Sequence, residues 1–227
     1  MTLPTPITVN YQSTNNLLVA DSWLRHLDSF PIIALDFETA IRYTPADYAS
    51  FQSIIDDPSS TNLQRRAAQA KLRATALDHP SHVAITHLSA AWSDSDSYVF
   101  IIDSPKLLRR ILTWLTTTTT TQIWHNSSYD FRLIYHHTNR FPLNYEDSQL
   151  LAKTILNHVE TYKARTGLKE LAGHWYGDWA ISADNFNLSQ MYEPHVLKYA
   201  AIDACATFKL YHSIRSYLQG SPNDSTS

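Results

Sequence analysis

The stretch PIIALDFETA, residues 31–40, constrains this chain most. Its composition reads as a buried strand, and alternation puts Ile32, Ala34, Asp36 and Glu38 on one face and Ile33, Leu35, Phe37 and Thr39 on the other. Two carboxylates therefore share a face at the strand's end. Desolvation and mutual repulsion both oppose ionisation there. A fold built on this strand must leave that end open to water or place a positive charge between the two acids.

The rest of the chain supplies partners for such a strand. HVAITHLSAAW and SYVFIID, split by the turn-like SDSD, predict an antiparallel hairpin at residues 82–92 and 97–103. PKLLRRILTWL predicts a helix that starts on Pro105 and carries a Leu107, Leu108, Ile111, Leu115 stripe. The threonines at 116–121 read as a connector into a short strand, TQIWHN, and a helix follows with Ser127 or Ser128 as its N-cap. Residues 41–81 read as a helical insertion in which Leu63, Ala67, Ala70, Ala74 and Leu77 recur at helical spacing. Its basic residues Arg65, Arg66 and Arg73 suit a solvated face as well as a phosphate contact. Strands first, then strand alternating with helix, predict an α/β fold with a mixed sheet of about five strands flanked by helices.

At 227 residues and 44% hydrophobic content, one domain over residues 1–220 is expected, with a disordered polar tail at 221–227. The single cysteine, Cys205, excludes an internal disulfide and a multi-cysteine zinc site, and it reads as a small core side chain. There is no apolar run of about 18 residues, and the N-terminus lacks the pattern of a secretory signal, so a cytoplasmic protein without a membrane partner is expected. A net charge of −3 excludes a surface that is basic all round, though not a local patch or bound cations.

Two further acids join the first pair. In EPHVLKYAAIDACATFKLYHSIRSYLQG, Val196, Tyr199, Asp203, Ala206, Leu210, Ile214 and Tyr217 trace one inward stripe, which buries Asp203. A buried carboxylate needs a hydrogen-bonded partner, a cation or a proton. Tyr199 lies one turn earlier on the same face. In WHNSSYDFRLI, Asp130 falls in a first helical turn, where the helix dipole favours an anion.

Together these residues resemble the DEDD 3′→5′ exonucleases, in the subgroup marked by a tyrosine. The first motif looks like Asp36-Phe37-Glu38-Thr39, the second like His125-Asn126-Ser127-Ser128-Tyr129-Asp130, and the third like Tyr199-Ala200-Ala201-Ile202-Asp203. TGLKELAGHWYG and EDSQLLAKTIL are similar to segments between the second and third motifs in family A polymerase proofreading domains and ribonuclease D. The resemblance spans residues 31–218 and implies a ribonuclease H-like fold. It also implies two divalent ions, Mg²⁺ or Mn²⁺, held by Asp36, Glu38, Asp130 and Asp203, with Asp36 bridging both. Tyr199 would orient the attacking water, and Thr39, Ala40 and Asn126 would bind substrate. The insertion at 41–81 departs from the family's compact members, and it borders the expected cleft.

The activity this implies is metal-dependent hydrolysis at the 3′ end of single-stranded or frayed DNA, releasing nucleoside monophosphates. The enzyme would stand alone or act in trans beside a DNA polymerase. An exoribonuclease similar to ribonuclease D is the alternative, and a nuclease-like fold used only for nucleic-acid binding is a third reading. Lys163, Arg165 and Lys169 form a basic cluster open to either a solvated or a phosphate-binding role. The pair His136-His137 lacks the spacing of a zinc motif.

Overall fold

The computed structural model describes residues 8–41, 45–74, 83–156, 166–176 and 190–220. Six strands form one sheet: β1 (Asn10–Thr14), β2 (Ile32–Ile41), β3 (Val83–Ala91), β4 (Asp96–Ile101), β5 (Thr121–Trp124) and β6 (Tyr145–Asp147). Their order is β1-β4-β3-β2-β5-β6, with β3 antiparallel to both neighbours and the other pairings parallel. The eight helices among the described residues are α1 (Leu17–Leu27), α2 (Pro45–Asp56), α3 (Asn62–Ala74), α4 (Pro105–Leu115), α5 (Ser128–Thr138), α6 (Ser148–Leu156), α7 (Leu168–Tyr176) and α8 (Pro194–Leu218). None of them is long and apolar enough to cross a membrane.

The alternation expected of β2 holds. Ile33, Leu35 and Phe37 enter a core with Leu24 and Leu27 of α1, Leu107 and Ile111 of α4, and Leu133 and Ile134 of α5. Each such side chain contributes about 1.5–3 kcal/mol through burial. The opposite face of the sheet carries α8, whose Ala200, Ala201 and Ala204 are buried against Val99, Ile101 and Ala91. Small side chains there let the helix lie close to the strands. Asp36 and Asp203, on facing elements, meet as a result.

The structure adds to some expectations and corrects others. The sheet has a sixth strand, because Asn10–Thr14 pairs with β4 although its sequence, NYQST, is mostly polar and exposed. As an edge strand it pairs on one side only and needs no apolar alternation. Helix α1 also lies outside the elements expected from the sequence, and Asn16 caps it, accepting from the Leu18 and Val19 N–H groups. The described part of residues 41–81 holds two helices, α2 and α3, packed on each other. Leu63 is 79% exposed and Ala68 is the buried residue, so the apolar stripe starts elsewhere than expected. Side chains 70–82, including the expected stripe members Ala70, Ala74 and Leu77 and the basic Arg73, lie outside the described residues, as does the tail 221–227. In α8 the inward stripe ends at Ile214, and Tyr217 faces solvent. Cys205 is buried in the apolar contact with Ala91 and Ala204, as expected.

Candidate active site

Asp36 and Glu38 reach the site from β2, and Asp203 comes down on it from α8, one turn after Tyr199. Ligating oxygens of these three carboxylates all lie within 4.8 Å of one another. Each residue keeps a partly accessible edge while protein surrounds the rest of its carboxyl group. Burial is the largest cause of their raised pKa values, and repulsion from the neighbouring acids adds to it at Asp36 and Glu38. The Asp36 pKa stands well above the usual carboxylate range. Glu38 is pushed up to about 8 and Asp203 to about 6. Glu38 Oε1 is buried with no hydrogen-bond partner among the described residues. A hard divalent cation fits this set, because it takes carboxylate oxygens and offsets the charge that burial makes costly.

Asp130 sits in the first turn of α5, 5% exposed, and accepts the backbone N–H of Phe37. That bond places the fourth carboxylate against the strand between the first two. Burial raises its pKa to about 7. The Tyr199 hydroxyl donates to Asp203, and burial together with the Asp203 and Glu38 charges raises the phenol's pKa further above 10. Tyr199 is thus held protonated, as a donor.

The register of β2 against β3 slips between Glu38 and Thr39. Such a bulge re-aims the side chains beside it. Beyond it the Thr39 hydroxyl lies 3.0 Å from the Tyr129 hydroxyl, and Ala40 is buried. Asn126 adopts a left-handed conformation, φ 61°, which asparagine tolerates better than most residues, and this turns the chain from β5 into α5. Ser127 occupies the N-cap position of α5 without capping it. Its hydroxyl instead donates to Asp147.

That aspartate is one of three positioning residues to which the sequence reading assigned no role, although one of them, His125, opens the second motif. The Asp147 carboxylate accepts from Ser127 Oγ and from the backbone N–H groups of Asn126, Ser127, Gln149 and Leu150, at 2.8–3.2 Å. Burial works against the charge, but these donors outweigh it and hold the carboxyl below its usual range. Two histidines, the buried His87 and the half-buried His125, tie helix approaches to the sheet. His87 of β3, opposite Glu38, donates from Nε2 to Met191 O ahead of α8, 2.7 Å away. His125, after β5, donates from Nε2 to Thr166 O ahead of α7, 3.0 Å away. Burial lowers the pKa of both rings, so they act as neutral donors.

Of the expected basic cluster, Lys163 and Arg165 lie outside the described residues. Lys169 stands beside the site, its Nζ 4.7 Å from the centroid of the Tyr199 ring. His136 and His137 are exposed on α5. Among the described aromatic residues, Trp114 and Trp124 are buried in the core, whereas Tyr135, Phe141, Tyr145, Tyr192 and Tyr217 are exposed.

The sequence model of a family described as 3′-5′ exonuclease matches residues 11–219. The comparison with curated proteins gave no significant match. Among solved structures, Brucella melitensis NrnC is similar at 17% identity and a TM-score of 0.54, over 95% of this chain and 83% of that one. Trypanosoma brucei RNase D is similar at 16% identity and a TM-score of 0.60, over 94% and 66%. Escherichia coli RNase D is similar at 15% identity and a TM-score of 0.55, over 93% of this chain and 46% of that one. At such identities the likeness is one of fold, and it agrees with the expected ribonuclease H-like sheet.

Proposed function

The chain belongs to the 3′-5′ exonuclease family, and from that premise we propose that Asp36, Glu38, Asp130, Tyr199 and Asp203 form a site hydrolysing the terminal phosphodiester at the 3′ end of a single strand. The observation that carries this reading is the convergence of three carboxylates within 4.8 Å, one of them with an orphaned buried oxygen. Asp36, Glu38 and Asp203 would hold one divalent ion, and Asp36 with Asp130 would support a second. A Brucella melitensis NrnC structure with bound Mg²⁺ is among the similar folds. Two such ions supply the charge that activates a water and steadies the leaving oxygen.

The protein's own groups do the rest. Tyr199, anchored on Asp203 by its one O–H, orients the attacking water by accepting a hydrogen bond from it. Thr39, Ala40 and Asn126 line the approach of the terminal nucleotide. His87 and His125 keep the approaches to α8 and α7 in place, which fixes the distance between the carboxylates and the residues beside them.

DNA is the substrate this account favours, from the resemblance of the three motifs to proofreading domains. RNA is the second reading. It draws support from the fold likeness to an Escherichia coli enzyme described as an exoribonuclease involved in structured RNA processing. The assignment is tested by Asp36→Ala and Asp203→Ala, each of which should abolish turnover and leave the circular dichroism spectrum unchanged. Undiminished activity in either variant would overturn the site.

A further inference from the structure

Resting on the exonuclease reading, we propose that Lys169 is a substrate-binding residue of this site, its ammonium taking a phosphate oxygen of the strand being degraded. Four observations lead there. First, Lys169 is the second residue of α7, in the turn where the helix dipole disfavours a cation, so local electrostatics do not account for it. Second, its backbone is fixed with respect to the carboxylates. Thr166 O receives both His125 Nε2–H and Gln149 Nε2–H, at 3.0 and 3.1 Å, and Leu168 and Leu171 pack against Ala152, Leu210 and Ile214.

Third, the ammonium lies 4.7 Å from the Tyr199 ring centroid and makes no ion pair among the described residues, where the pairs are Arg110–Asp21 and Arg215–Glu146. Its charge nevertheless lies close enough to act on Glu38 and Asp203. The half-buried side chain is therefore near the acids, held over an aromatic face, and left with donors to offer. Fourth, the charges in the site leave room for it. Two divalent cations would balance Asp36, Glu38, Asp130 and Asp203, and the negative charge of an incoming phosphodiester would then be unmatched until another cation joins. Lys169 supplies that charge as a compact ammonium.

A lysine that merely offsets the acids would behave differently, because its loss would not change how many phosphates the protein neutralises. The test measures binding of a short single-stranded oligonucleotide over a range of salt concentrations, with Ca²⁺ in place of Mg²⁺ and the strand checked intact. Lys169→Gln is expected to weaken binding about tenfold and to make the slope of log K against log salt shallower by about 0.7, one single-strand phosphate contact. Lys169→Arg, which keeps the charge, should retain the wild-type slope. An unchanged slope and affinity in Lys169→Gln, while the wild type still degrades strands, overturns the Lys169 assignment alone. A wild type that neither binds nor degrades a strand overturns the reading beneath it as well.

Discussion

In metal-free buffer, replacing a carboxylate of the candidate site should stabilise the protein, and Glu38→Gln is the case to work through. The Glu38 carboxyl is pushed from its ordinary 4.5 to about 8, first by burial and then by the Asp203 charge. The folded state therefore keeps a proton that the unfolded chain releases once the pH passes the ordinary value. Stability falls as pH rises across that window and levels off above the folded pKa. The whole interval is worth about 5 kcal/mol at roughly 1.4 kcal/mol for each pKa unit. Because Asp36, Asp130 and Asp203 titrate with Glu38, only a share, about 2 kcal/mol, falls to this side chain alone. For a chain of this size that corresponds to about 4–8 °C in Tm. Thermal melts in EDTA should show Glu38→Gln above wild type by that amount at about pH 8, with the gap closing toward about pH 5, where the folded wild type is protonated. Added Mg²⁺ or Mn²⁺ should raise the wild-type Tm and close the gap from the other side. A variant that melts below wild type in EDTA at the higher pH, or a gap independent of pH, would refute the argument that these acids are destabilised without a cation.

Tyr199→Phe removes the donor to Asp203 but no carboxylate. Turnover should fall about tenfold to a hundredfold while the metal-induced rise in Tm persists; an unchanged rate would show that the hydroxyl has no part in the reaction. Asp147→Ala strands the donors of Asn126, Ser127, Gln149 and Leu150, at a cost of about 3 kcal/mol or a Tm loss of about 6–12 °C. Since the folded Asp147 pKa is depressed, its contribution is present above the ordinary 3.8 and lost as pH falls through the folded value. The difference in calorimetric stability should shrink on acidification, and a constant difference would count against the hydrogen-bond account.

The sequence made the four acids legible because their neighbours obey strong local rules. Alternation around Asp36 and Glu38 and the helical stripe through Tyr199 and Asp203 both survive in the structure, and each acid sits on the element its neighbours predicted. The supports were harder to read. Asp147, His87 and His125 act on residues 20, 104 and 41 positions away, and no local pattern announces such contacts. Edge strand β1 escaped notice because its polar sequence meets only one neighbour. Ser127 looked like a cap until Asp147, brought in by β6, offered a charged acceptor. Lys169 was visible only as one member of a basic cluster, and its place over Tyr199 depends on the packing of α7 against α8.

The central claim is that this fold trims strands from their 3′ ends with metal assistance at the Asp36 site. The most direct measurement is a gel time course on 5′-labelled single-stranded DNA and matched RNA, each with Mg²⁺, Mn²⁺ or EDTA, for wild type and Asp36→Ala. A ladder that shortens progressively from the 3′ end is expected with either ion, and no shortening in EDTA or with the variant. The faster of the two strands identifies the substrate class. Strands that stay intact with metal present, that are cut internally, or that shorten equally well with Asp36→Ala would contradict the claim.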